Sequence, residues 1–159
     1  MNIRKAEIKD IEQIENLLSQ VLEVHAAIRP DIFISGTRKY SREELESLIS
    51  DPDTPVFAAA DENDVMRGYA MCRIKQPDHS GNMQPILSLY VDDLCVDEAY
   101  RGHHIASDLF AYIRTYAEEK GCHNITLNVW EGNDGARAFY ERCGFGIQKT
   151  TMEMIIKKA

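Results

Sequence analysis

Three clusters in this chain carry residue types that could do chemistry. The first is YRGHHIAS, Tyr100 to Ser107, where Arg101 and Gly102 stand just ahead of an apolar helical run that begins at Ile105 and continues through Ala106 and Ser107. The first amides of a helix have no intrahelical acceptor and carry the positive end of its dipole, so such a turn is a ready anion cradle. His103 and His104 occupy positions where glycine would let the backbone approach an anion most closely. Taken alone, the segment reads equally well as a turn that merely starts a helix, with Arg101 in solvent. The second cluster is the carboxylate pair Asp92 and Asp93 in YVDDLCV, which alternation along a strand sends to opposite faces. The third is NDGARAFYERCGF, where Asn133 is placed to cap a helix, Ala136 and Tyr140 fall one turn apart on one face, and Gly144 follows the last turn.

The elements that position these clusters follow from periodicity. Met1 to Glu7 predicts a short edge strand. Asp10 predicts the cap of a helix whose apolar face is Ile11, Ile14, Leu17, Leu18, Val21 and Leu22, stopped at Arg29-Pro30. SREE, from Ser41, is a capping-box pattern that opens a short helix through Leu45, Leu48 and Ile49. PVFAAA from Pro55 and VMRGYAMCRI from Val65, separated by DEND, predict a hairpin, and Ile86 to Val96 a long strand. A helix then runs from Ile105 to Gly121, a strand over Asn124 to Trp130, a helix over Asn133 to Cys143 and a last strand near Gln148 to Ile156. The order is that of an α/β fold, a mixed sheet flanked by helices, and 159 residues suit a single domain.

Composition removes several function classes. With 18 Lys+Arg against 26 Asp+Glu, net charge −8, the chain is not expected to bind nucleic acid. No apolar run approaches the roughly 20 residues that cross a bilayer, and MNIRKAEIKD is not a signal peptide, so no membrane association and a cytoplasmic location are expected. Cys72, Cys95, Cys122 and Cys143 show no zinc-type spacing and read as reduced thiols. Cys95 and Cys143 lack a neighbour that would activate a thiolate and read as small apolar residues. No metal site is expected, since the adjacent pair His103 and His104 diverge by about 100° on a helix.

Asn133, Ala136, Tyr140, Gly144 and Phe145 match N-x-x-A-x-x-x-Y-x-x-x-G-F without a departure, and Arg101, His104 and Ala106 meet Q/R-x-x-G-x-G/A at two of three positions. On these residues the chain resembles the GNAT family of acyl-CoA-dependent N-acyltransferases. The resemblance extends over the whole order of elements, with its specific part from about Leu89 onward. It implies a mostly antiparallel mixed sheet with splayed central strands. It implies acetyl-CoA as cosubstrate, its pyrophosphate on Arg101 to Ser107 and its pantetheine arm along Leu94, Cys95 and Val96, with Asn133, Ala136 and Tyr140 close by.

The resemblance further implies direct attack of an amine on the thioester, with Tyr140 as general acid toward the departing thiolate. An alkylamine is protonated at pH 7, with a pKa near ~10.4, so a base or water relay is required, and Asp92 or Asp93 is the candidate. Either carboxylate could instead serve only in an ion pair. The acceptor, a small-molecule or peptide amine, is expected to meet the first two helices; His25 and Arg29 fall one turn apart there, where a cation also suits a helix end. His104 departs from the family glycine and is expected to take the glycine-like backbone conformation with its side chain outward. His103 and His104, once protonated, would tighten cofactor binding as pH falls through about 6.5. A CoA-binding sensor without catalysis and a structural domain without CoA are the competing readings, and a homodimer is a candidate assembly.

Overall fold

The structure, a computed structural model, describes residues 1–157. Its elements are β1 (Asn2–Lys5), α1 (Ile11–Ile28), α2 (Arg42–Ser50), β2 (Val56–Ala60), β3 (Met66–Lys75), β4 (Ser88–Val96), α3 (Ile105–Glu119), β5 (Asn124–Leu127) and α4 (Asp134–Arg142). The five strands lie in sequence order; β1 to β4 pair antiparallel and β4 with β5 parallel. Both faces of the sheet are covered, which is why VFAAA in β2 is buried at every position.

On one face, the α1 stripe of Ile11, Ile14 and Leu17 joins Leu45 of α2 over Tyr69, Met71 and Cys95. On the other, Ile105, Leu109 and Ile113 of α3 pack on Phe57, Leu89 and Val91. Each fully buried aliphatic of these stripes contributes roughly 1.5–3 kcal/mol. Gly68 permits the close approach of α3: a Cβ there would lie 2.9 Å from the Cys95 carbonyl oxygen and 3.2 Å from Ile105 Cγ2.

Ser41 caps α2 as expected, its side chain accepting from the Glu44 amide while Glu44 accepts from the Ser41 amide. Asp10 differs from expectation. It closes a 3-10 turn, Ile8–Asp10, by accepting from the Glu7 amide at 2.7 Å, and receives both guanidinium branches of Arg4 at 2.7 and 2.9 Å. No side-chain bond from it caps α1. Burial works against its ionised form, but Arg4 and the Glu7 amide outweigh that and hold its carboxyl below the usual range.

Two strand expectations are corrected. The strand from Asn124 ends at Leu127, short of Trp130, because Trp130 turns to Phe33, 5.5 Å edge-on, and to the Arg29 guanidinium. Gln148 to Ile156 forms no strand: alternation supplies the pattern, but no backbone group from 146 to 157 meets a backbone partner among the described residues. β5 is therefore the last strand of the sheet.

Candidate active site

β4 carries the centre of the site. It pairs with β5 only from Ser88 to Val91, so Asp93 to Val96 keep β3 on one side and an open backbone edge on the other. This is the splay expected at Leu94, Cys95 and Val96. Cys95 points inward, its thiol donating to the Leu17 carbonyl at 3.4 Å, and burial pushes its pKa up to about 12, which leaves it an inert packing residue.

The register of β3 and β4 shifts between Met71 and Cys72: Met71 faces Asp93 and Cys72 faces Val91, so Asp92 is an extra residue, a β-bulge. The expectation that Asp92 and Asp93 point to opposite faces is thereby overturned. A bulge breaks alternation, and both carboxylates meet the Lys39 ammonium, at 3.2 and 2.8 Å. Tyr40 donates its hydroxyl to Asp92 at 3.0 Å. Asp93 is the buried member, 7% exposed, and burial raises its carboxyl above the usual range although Lys39 pulls the other way. For Lys39 burial lowers and Asp93 raises, and the raising effect wins. Lys39 and Tyr40 lie between α1 and α2, far from Asp92 in sequence, and no motif marks them.

Tyr140, on α4, is half-buried, its ring edge-on to Phe139 and Phe145. Burial, and next the Asp93 charge, push its phenol well above the ordinary value, so it stays protonated at neutral pH. Asn133 caps α4, accepting from the Ala136 amide at 3.4 Å, and Gly144 ends the segment at φ +101°.

At the start of α3, Gly102 takes φ +82° and His104 φ +62°, both left-handed, as the departure from glycine at His104 required. His103, His104 and Arg101 are exposed. The first α3 amide to reach an acceptor one turn back is that of Asp108, bonded to His104 O, which leaves the amides of Ile105, Ala106 and Ser107 open. The Ile105 side chain is core, so only its backbone is available to a ligand. Arg67 stacks over the Tyr100 ring at 4.1 Å and anchors the turn from behind.

On the acceptor side, Arg29 is engaged by Asp31 at 2.7 Å and by Glu153, and lies over Trp130. His25 packs on Phe33; burial lowers its pKa, Asp93 raises it and Lys39 lowers it, so it borders the carboxylate pair. An open groove of about 420 Å³ passes Tyr40, Glu43, Glu44, Asp51 and Arg73 between α2 and β3. Among the described residues no group of three or more His, Cys, Asp or Glu side chains is arranged for a metal ion, and no helix is long and apolar enough to cross a membrane.

The sheet is mixed and opens between its fourth and fifth strands, and the first amides of α3 have no backbone acceptor. The sequence model of the acetyltransferase (GNAT) family matches residues 19–145, and the chain belongs to that family. It is thus an acyltransferase of the N-acetyltransferase kind, from a family whose cosubstrate is acetyl-CoA. Thialysine N-epsilon-acetyltransferase of Bos taurus is 25% identical over 137 residues, 86% of this chain and 73% of that protein. N-alpha-acetyltransferase MAK3 of Arabidopsis thaliana is 41% identical over 56 residues, only 35% of this chain and 30% of that one. A mutant of the BH1408 protein of Bacillus halodurans superposes with TM-score 0.94 and 32% identity over 99% of this chain and 100% of its own. Glucosamine-6-phosphate N-acetyltransferase of Arabidopsis thaliana shares the fold at TM-score 0.67, with 18% identity over 98% of each chain. The open β4 edge, the unbonded α3 amides and the exposed Arg101 fit a cosubstrate with a pantetheine amide arm and a pyrophosphate.

Proposed function

We propose that this chain catalyses acetyl-CoA-dependent N-acetylation of a primary amine by direct attack on the thioester, with Asp93 receiving the acceptor and Tyr140 acting as general acid. The observation that carries this reading is the convergence of Asp92 and Asp93 on one ammonium, that of Lys39, with the Asp93 charge felt at the Tyr140 phenol. Lys39 stands in for the acceptor. It is an n-butylammonium held by two carboxylates, so a substrate ammonium can take the same place once Lys39 swings out. The acidic groove past Glu43, Glu44 and Asp51 supports a second cationic group on the acceptor. The name of the bovine relative points the same way, toward an amine at the end of an unbranched chain.

When bound, acetyl-CoA supplies the thioester carbonyl carbon. Asp93 binds the acceptor as R–NH3+ and takes a proton from it; its raised pKa makes it a better proton acceptor than an exposed carboxylate. The amine nitrogen forms the new C–N bond as the C–S bond breaks. Tyr140, held protonated, gives its proton to the leaving sulfur and regains one from the second proton lost by the amine nitrogen, while the proton taken by Asp93 passes to solvent. In balance, R–NH3+ and the thioester yield the acetamide, free thiol and one proton. The left-handed Gly102 and His104, the open amides of Ile105 to Ser107 and Arg101 support pyrophosphate binding there, and the unpaired Leu94 to Val96 edge supports the pantetheine arm.

The test is thiol release from acetyl-CoA across lysine, thialysine, diamines, a lysyl peptide, an aminoglycoside and an aminosugar phosphate. Turnover is expected with the unbranched amines. Tyr140→Phe is expected to lower kcat about 100-fold while the calorimetric Kd for acetyl-CoA stays put. Unchanged turnover in that variant removes Tyr140 from the chemistry; no turnover with any amine removes the acetyl-transfer reading of the acceptor site.

A further inference from the structure

Tyr69 is the largest wholly buried side chain, 0% exposed beneath α1 and α2 among Ile14, Leu17, Leu45 and Met71. Its hydroxyl has no hydrogen-bond partner among the described residues. A buried O–H that gives up water without replacement costs about 1–3 kcal/mol, and a phenylalanine would fill the same space without that cost. Packing of the ring explains the aromatic side chain but not its oxygen.

The sheet sets that oxygen near the proposed reaction centre. Tyr69 faces Cys95 across the β3–β4 ladder, and Met71 faces Asp93. Beyond the bulge alternation is regular: Leu94 and Val96 turn to the α3 side, while Asp93 and Cys95 turn with Tyr69 and Met71 to the α1 side. Tyr69 and Asp93 are thus diagonal neighbours on one face, a backbone separation of roughly 7–8 Å that an aromatic side chain spans. Of the charges around the Tyr69 phenol, that of Asp93 acts on it most strongly. Asp93 for its part receives Lys39 at Oδ2, and no hydrogen bond reaches its Oδ1 among the described residues. A donor without an acceptor and an acceptor without a donor therefore stand diagonally on the same face.

We propose that Tyr69 is a positioning residue for Asp93, its hydroxyl donating through one bridging water to Oδ1 while Oδ2 stays on the ammonium of Lys39 or of the acceptor. A buried water of this kind satisfies polar groups that packing leaves apart. With Oδ1 fixed, the carboxylate cannot turn about its last bond when Lys39 leaves, so Oδ2 is already aimed as the acceptor arrives. The donor also favours the charged carboxylate and offsets part of the burial that raises Asp93. The other titratable groups around Asp93 are His25 of α1, Lys39 and Tyr40 between α1 and α2, Asp92 and Cys95 of β4, and Tyr140 of α4. Among them Lys39 alone bonds it. The part that Tyr69 plays in catalysis rests on the proposed function; the contact with Asp93 does not.

Two measurements test the contact without substrate. The first is a pH titration of the Asp93 ¹³Cγ resonance, assigned by its loss in Asp93→Asn. Its midpoint is expected to rise by about one pH unit in Tyr69→Phe, because the charged form loses a donor. Tyr116→Phe, which removes a phenol oxygen on the α3 side of the sheet, is the control that leaves the midpoint in place. The second is a crystal structure of the parent protein, expected to show one water about 3 Å from both Tyr69 Oη and Asp93 Oδ1. An unmoved midpoint in a folded Tyr69→Phe protein, an equal shift in Tyr116→Phe, or a crystal structure without that shared water would each overturn the proposal. With an amine that turns over, the acid limb of kcat/KM should move up together with the midpoint. A midpoint that moves while the limb stays supports the contact and removes Asp93 as the proton acceptor, so the proposed function then fails separately.

Discussion

Asp92 and Asp93 are neighbours in the chain, and a β-bulge brings both of their carboxylates to the single ammonium of Lys39, at 3.2 and 2.8 Å. In a regular strand one of the two would face the opposite side of the sheet. The two are not equivalent, since Asp93 is buried while Asp92 keeps 23% of its side chain in solvent and a bond from Tyr40.

That inequality separates the two in kinetics. Asp93→Asn is expected to lower kcat/KM for an unbranched amine by about 100-fold, and Asp92→Asn by about tenfold or less, through acceptor binding. Because burial raises the Asp93 pKa, the acid limb of the kcat/KM profile should fall at a pH above the ordinary aspartate value of about 3.9. Equal losses in both variants would show that the bulge does not distinguish them.

His104 holds a left-handed conformation that costs a residue with a Cβ roughly 1 kcal/mol or more, and its side chain is exposed. His104→Gly removes that strain but frees the unfolded chain, so a net gain of under about 1 kcal/mol in urea unfolding is expected. With no side chain to clear from the cradle, acetyl-CoA affinity should change by less than about threefold. A gain of tenfold or more would mean that histidine obstructs the site.

Gly68 sets the distance between β3 and α3. Gly68→Ala forces its new Cβ against the Cys95 carbonyl and Ile105, which should cost about 1–3 kcal/mol. Ile105 opens the helix whose first amides face the proposed pyrophosphate, so calorimetry should also show weaker acetyl-CoA binding. Gly81→Ala meets nothing within 4 Å and serves as the neutral comparison.

His25 ties stability to pH. Burial lowers its pKa in the native protein, with Asp93 opposing and Lys39 assisting, so the unfolded chain takes up a proton first as the solution is acidified. The neutral imidazole's contribution is complete above the unfolded value near 6.5 and is lost as pH falls from there through the lowered native value. Asp93, whose native pKa is raised, acts in the opposite sense at lower pH. Melting temperatures of His25→Gln should therefore fall less between pH 7 and pH 5.5 than those of the parent protein.

Much of this was legible in the chain itself. The α1 stripe, the Ser41 box, the hairpin, the α3 face and the Asn133 to Gly144 helix are each written in spacing over a few turns, because local backbone geometry decides which residues share a face. Even the His104 departure predicted its own backbone angle. The tail shows the limit of the same reasoning. Met152, Met154 and Ile156 have strand alternation, yet a strand also needs an edge, and no edge within reach of the tail is written in its own residues.

The sequence by itself determined the order of elements, the family signature and the presence of two carboxylates, a phenol and a helix N-terminus in the same half of the chain. Only the tertiary structure decided how they meet. The bulge at Asp92 arises from register between β3 and β4, and Lys39 reaches the pair from a loop 53 residues away. Gly68 matters because α3 returns across it. Each depends on contacts between segments distant in sequence, whose geometry comes from packing the whole sheet between its helices and is not encoded in any one window.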